Sequence, residues 1–219
     1  MAELFDVDEP LDFAPRYNIA PSQPVLALRG RPGFEAKKEL TFLHWGLIPF
    51  WTKDPGIAQR LINARSETAA EKPSFRSAFK YRRCLICADG FYEWQRKAKQ
   101  KKPFFFRMKD DGGFAFAGLW ENWNGPDGSQ IDSCTILTTR PNSLMAPVHN
   151  RMPVILKPDD YDLWLNADMR QKNELQELMR PFGEENMDAF AVESYVNNPR
   201  HDDPACIDPV EDKGTGLLI

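Results

Sequence analysis

Long apolar runs are missing from this 219-residue chain. No stretch approaches the roughly 18 to 20 residues that a membrane-spanning helix needs. The start, Met1-Ala2-Glu3-Leu4-Phe5-Asp6, lacks the basic and apolar regions of a secretory signal. Cysteine is scarce, with 4 residues, too few for a disulfide framework and in keeping with a reducing compartment. A soluble protein of the cytoplasm is expected, with no membrane partner. Histidine is scarcer still. His44, His149 and His201 show neither HxxxH nor HExxH spacing. The lone CxxC, Cys84 and Cys87, falls in a strand-like run, where residues three apart point to opposite faces. No metal is expected. The absence of GxxxxGK[ST] and GxGxxG removes phosphate-cradling loops and dinucleotide folds, so no nucleotide cofactor is expected, nor any other. Internal repeats and long linkers are absent too, and one domain over 1–219, acting as a monomer, is the expectation.

What is present is a core-forming composition. Apolar residues make up 42%, with 15 Phe and 6 Trp, which excludes a disordered or collagen-like chain. Short runs with β-branched or aromatic content predict strands over 25–29, 39–45, 83–88, 103–108, 114–120, 133–138 and 154–156. Asp111-Gly112-Gly113 and Gly125-Pro126-Asp127-Gly128 fit hairpin connections. Helical periodicity marks 67–80, broken by Pro73, then 159–166 after Pro158 and 172–179 before Pro181. The expected class is α+β, rich in antiparallel sheet with short flanking helices. The tail 197–219, carrying prolines and Gly214-Thr215-Gly216, reads as irregular and partly mobile.

Charge is segregated along the sequence. From Lys53 to Lys109 there are 15 Lys/Arg against 5 Asp/Glu, while the remainder carries 13 against 27. A run such as Arg96, Lys97, Lys99, Lys101, Lys102 is most simply a solvated loop. Aromatics lie among the cations, however, at Phe75, Phe79, Tyr81, Phe91, Tyr92 and Trp94. That interleaving is what a groove tracking a nucleic-acid backbone, with stacking platforms, requires.

Three polar residues sit in apolar or turn-like settings. Asn63 follows Leu61-Ile62, where it is either a helix cap or a half-buried amide in need of partners. Glu93 lies between Tyr92 and Trp94. If it faces inward, desolvation raises its pKa into the range useful to a general acid or base; strand alternation alone allows it to face solvent instead. His149 and Arg151, two apart before an apolar strand, can share one side of an extended segment. A structural histidine is the competing reading.

Five ordered motifs give these residues a context. They are Arg16-Tyr17-Asn18-Ile19-Ala20-Pro21, Trp45-Gly46-Leu47-Ile48-Pro49, Leu61-Ile62-Asn63-Ala64-Arg65, Ala88-Asp89-Gly90-Phe91-Tyr92-Glu93-Trp94 and His149-Asn150-Arg151-Met152-Pro153. Over almost its whole length the chain resembles the SOS-response-associated peptidase (SRAP) family, whose members recognise abasic sites in single-stranded DNA. The resemblance implies that Asn63, Glu93 and His149 line one catalytic site. It also implies that Asn18, Trp51, Arg65, Thr138 and Arg151 contact DNA or support that site.

The chemistry implied is covalent. An abasic deoxyribose opens to an aldehyde, which an amine attacks and a neighbouring thiol closes into a thiazolidine. Only an N-terminal cysteine offers both groups, and the family exposes one by removing the initiator from a Met-Cys-Gly-Arg start, hence the peptidase name. In that scheme Glu93 assists proton transfers, His149 shuttles a proton during ring opening and reversal, and Asn63 positions the amine. Here position 2 is Ala2 and no Cys-Gly-Arg occurs. The start reads as a short uncapped helical fragment from a chain that has either lost upstream residues or lost its nucleophile, and the survival of the other site residues favours the first. The sequence as given is therefore expected not to crosslink. A non-covalent single-stranded DNA-binding module is the alternative function, and a Glu/His hydrolase acting on a small molecule is a weaker third.

Overall fold

The structure, a computed structural model, describes residues 13–30, 38–97, 100–168 and 172–210. The expectations placed on the first residues, on Lys99 and on 211–219 lie outside them. Eleven strands are described: β1 (Pro24–Gly30), β2 (Lys38–Trp45), β3 (Asn63–Arg65), β4 (Arg83–Ala88), β5 (Gly90–Lys97), β6 (Gln100–Met108), β7 (Phe114–Asn124), β8 (Gln130–Thr139), β9 (Met152–Pro153), β10 (Ile155–Leu156) and β11 (Met187–Ala191).

Eight of them form one sheet in the order β10-β7-β4-β1-β2-β8-β3, with β9 also on β8. Because β7 pairs with β8 as well as with β4, the path returns on itself and closes a ring of strands. A second sheet, β11-β6-β5, packs against it. The pairings are mostly antiparallel; β2 and β3 run parallel to β8. Helices are short: Ser66–Ala69, Arg76–Tyr81, Tyr161–Leu165 and Lys172–Leu178. The result is a mixed, sheet-rich α+β fold. No described helix is long and apolar enough to cross a membrane.

Alternation within the strands builds the layers. On β4, Leu85 faces the helices with Phe75, Phe79 and Trp164, while Cys84 and Ile86 face the second sheet with Phe104 and Phe106. Cys87 falls on the Leu85 side, so the CxxC pair is split between faces. On β6, Phe105 points away from Phe104 and Phe106 and packs with Tyr92, Trp94 and Phe190 beneath the C-terminal turns that carry Val196 and Cys206. Residues 197–210 therefore form a layer of 3-10 turns and a bridge, Val192 to Pro209.

Three differences from the sequence reading have physical causes. Asp111-Gly112-Gly113 joins β6 to β7, which belong to different sheets, so it is a crossing and not a hairpin. Phe75 and Phe79 are buried in the core with Trp164 and offer no stacking platform. The basic segment is also partly internal. Arg83 is buried and donates to the carbonyls of Trp164 and Phe79, and burial lowers its pKa to about 10. Arg82 pairs with Glu121, and Arg107 with Asp111 and Asp188.

Candidate functional site

A cavity of about 940 Å³ opens between the two sheets. Its walls include Asn63, Glu93, His149, Asn18, Arg65, Thr138 and Arg151, drawn from chain segments that are remote in sequence. Trp51 is not among the lining residues. It stands exposed beside Phe50 on the loop after β2, which Trp123 fixes by donating from Nε1 to the Thr52 carbonyl at 2.9 Å.

β5 brings Glu93 to the cavity. Phe91 and Glu93 share a face. Phe91 anchors that face by stacking on Phe106 and meeting Phe116 edge-on. The opposite face is tied down by Tyr92, which donates to the Tyr17 carbonyl at 2.7 Å, and Trp94, which donates to Asn197 Oδ1 at 2.7 Å. The strand starts at a glycine for a steric reason: a methyl on Gly90 would lie 2.1 Å from Phe105 Cζ.

Glu93 is therefore set in the cavity wall with its side chain 26% exposed. Burial raises its carboxyl pKa, and the nearby His149 imidazole opposes that shift. His149 Nδ1 lies 3.7 Å from Glu93 Oε1, within reach of one short movement or a bridging water. The same nitrogen sits 3.0 Å from the Arg151 carbonyl and 3.2 Å from its amide, which fixes the ring in the loop before β9. A carboxyl whose pKa is raised by burial, standing beside an imidazole, is an acid and base pair in one cleft.

Asn63 and Arg65 lie on the exposed face of β3, with Ala64 turned into the core. The cap reading of Asn63 does not hold, because the helix Ser66–Ala69 has Arg65 at its N-cap and no side-chain cap bond. Trp45 pins this segment by donating from Nε1 to the Ile62 carbonyl at 2.9 Å. In register, Arg65 faces Thr138 across the parallel pairing of β3 and β8, and Thr138 also faces Pro153 of β9. Arg151 donates to the Thr138 carbonyl and makes a two-point pair with Glu67.

Asn18 works differently. It is buried, and its amide donates to the carbonyls of Val196, Asn198 and His201. Asp202, which no sequence pattern marked, closes the same clasp: its Oδ1 accepts from the Tyr17 and Asn18 amides at 2.6 and 2.9 Å, and its Oδ2 pairs with Arg16. These contacts hold the wall formed by 16–18. Among the cations lining the cavity, Arg16 and Arg151 are thus paired, whereas Arg65 has no ion pair among the described residues. Among those residues Arg65 is also the only lining cation from the basic segment. Phe13 and Phe42, meeting edge-on at 6.0 Å, are exposed aromatics on the same rim. Among the described residues no group of three His, Cys, Asp or Glu is arranged to hold a metal.

Comparison with known proteins gives this geometry a family. A family described as "SOS response associated peptidase (SRAP)" matches residues 1–199. The abasic site processing protein YoqW of Bacillus subtilis is 44% identical over 210 residues, covering 94% of this chain and 92% of its own. The abasic site processing protein HMCES of Gallus gallus is 32% identical over 228 residues, covering 91% of this chain and 67% of its own. A crystal structure of a Bacteroides thetaiotaomicron protein superposes with a TM-score of 0.78 at 29% identity, covering 86% of this chain and 82% of that one. One from Bordetella bronchiseptica gives 0.75 at 28% identity, over 88% and 94%. The chain therefore belongs to the SOS response associated peptidase family.

Proposed function

We propose that this protein binds single-stranded DNA and processes abasic sites in it, using the cavity between the two sheets to receive the baseless sugar. The observation that carries the reading is the approach of Glu93 to His149, at 3.7 Å, in a cavity whose rim also holds Asn63 and Arg65. The ring-opened sugar has an acidic C2′ hydrogen beside its aldehyde. A base taking that proton forms the C2′–C3′ double bond and expels the 3′ phosphate, which cuts the strand by β-elimination. Glu93, which faces the cavity with its pKa raised by burial, is suited to take the proton, and His149 to return one to a leaving oxygen. Asn63 and Arg65 orient the sugar and its phosphate from β3.

The covalent branch needs an amine and a thiol on adjacent carbons. Cys84, Cys87, Cys134 and Cys206 are internal, so the nitrogen beside each thiol is a backbone amide, and none of the four supplies that pair. In this reading a thiazolidine adduct, and the removal of a leader that exposes it, require a cysteine-led N-terminus.

Single-stranded oligonucleotides with and without one abasic site test the proposal, with fluorescence anisotropy reporting binding and denaturing gels reporting scission and adducts. Binding and scission confined to the abasic oligonucleotide, with an adduct appearing only for a version extended by a cysteine-led segment, are expected. Salt-sensitive binding without any chemistry in either version would leave the binding module. Failure of both versions to bind DNA would overturn the proposal.

A further inference from the structure

Glu67 stands on the short helix that follows β3. Its carboxylate meets the Arg151 guanidinium at two points: Oε1 accepts from Nη1 at 2.6 Å and Oε2 from Nη2 at 2.9 Å. Arginine grips a phosphate with this same fork. The Glu67 side chain is 52% exposed against 21% for Arg151, so the acid is the solvent-facing partner. Arg151 keeps an anchor without it, because Nη2 also donates to the Thr138 carbonyl and lies 3.4 Å from the Thr138 hydroxyl. Arg151 is the main cause of a lowered Glu67 pKa, and Arg65 adds to it, so one carboxylate answers Arg151 and Arg65.

We infer that Glu67 takes the place of a DNA phosphate in the free protein: it fills the Arg151 fork and is displaced by a backbone phosphate when DNA enters the cavity. The inference rests on the nucleic-acid reading above. An exposed ion pair contributes little, so the exchange is easy. A displaced Glu67 still lies near the bound phosphates and repels them. Glu67 therefore restrains affinity and blunts its salt dependence, without touching the reacting sugar.

Anisotropy titrations of an abasic single-stranded oligonucleotide over a range of salt concentrations test this, comparing the wild type with Glu67→Gln, Glu67→Ala and Arg151→Ala. Thermal unfolding of each variant reports the fold. Both Glu67 variants are expected to bind about threefold or more tightly at low salt. Their plots of log Kd against log salt should steepen by about 0.7 for each additional phosphate that the protein neutralises. Arg151→Ala should bind more weakly, with a shallower slope. Unchanged or weaker binding by a folded Glu67 variant, or an unchanged slope, overturns the inference and makes Glu67 a support for Arg151. Absence of binding by the wild type at every salt concentration overturns the nucleic-acid reading itself.

Discussion

Burial and charge pull the Glu93 carboxyl in opposite directions, and burial wins, leaving its pKa raised. A group of this kind contributes stability that is complete below the ordinary glutamate pKa and is lost as pH rises through the folded value. Glu93→Gln, neutral at every pH, should therefore unfold at a higher temperature than the wild type at neutral pH. The difference should vanish in acid, and melts across pH check it. Asp202 has the opposite sign. The Tyr17 amide, Arg16 and the Asn18 amide together hold its carboxyl below the usual aspartate range, against a desolvation that works the other way. Its contribution is present above the ordinary aspartate pKa and is lost as pH falls through the folded value. Asp202→Ala strips the acceptor from two amides and should cost about 1–3 kcal/mol by denaturant unfolding. Asp202→Asn retains an oxygen for both amides and should cost less.

At the scale of elements, β5 decides whether there is a site. Its two faces are fastened to different layers, Phe91 to the main sheet and Tyr92 and Trp94 to the C-terminal turns, which sets the face that carries Glu93 toward the cavity. Gly90→Ala drives a methyl into the Phe105 ring, against Cζ at 2.1 Å and Cε2 at 2.4 Å. A loss of about 1–3 kcal/mol is expected from overpacking, accompanied by a loss of abasic-site scission as β5 shifts. Denaturant unfolding and a scission gel check the two effects. Most strands were legible from alternation and turn residues: the 83–88 prediction coincides with β4, and β1, β2, β6, β7 and β8 extend theirs by one to several residues. Four were not. β5 is so rich in aromatics and charges that neither face reads as apolar, and β3, β9 and β11, of 3, 2 and 5 residues, are too short to alternate visibly. The split of β6 and β7 between two sheets was hidden as well, because a glycine pair makes a crossing look like a hairpin. Pairing partners are a long-range property that turn chemistry does not encode.

For the whole molecule, the cavity is lined from both sheets, and its residues converge only through tertiary packing. Asn63, Glu93 and His149 were marked by their unusual settings and by the family motifs, not by any spacing between them. Glu67 follows Asn63 and Arg65 closely enough to be noticed with them, but its pairing and that of Asp202 were illegible, since their partners, Arg151 and the segment 16–18, are distant in sequence. Charge segregation misled for a related reason: Arg82 and Arg83 serve an internal pair and carbonyls, Arg107 pairs at the surface with Asp111 and Asp188, and among the described residues Arg65 is the only cation of the basic segment that lines the cavity. Single-turnover scission of an abasic oligonucleotide tests the central claim most directly, measured for the wild type, Glu93→Gln, His149→Ala and the double variant. Each single change should slow scission by at least about tenfold with Kd nearly unchanged, and the double variant should be little slower than the worse single one, because the two groups act as a unit. Undiminished scission in Glu93→Gln and His149→Ala, with binding retained, would contradict the account.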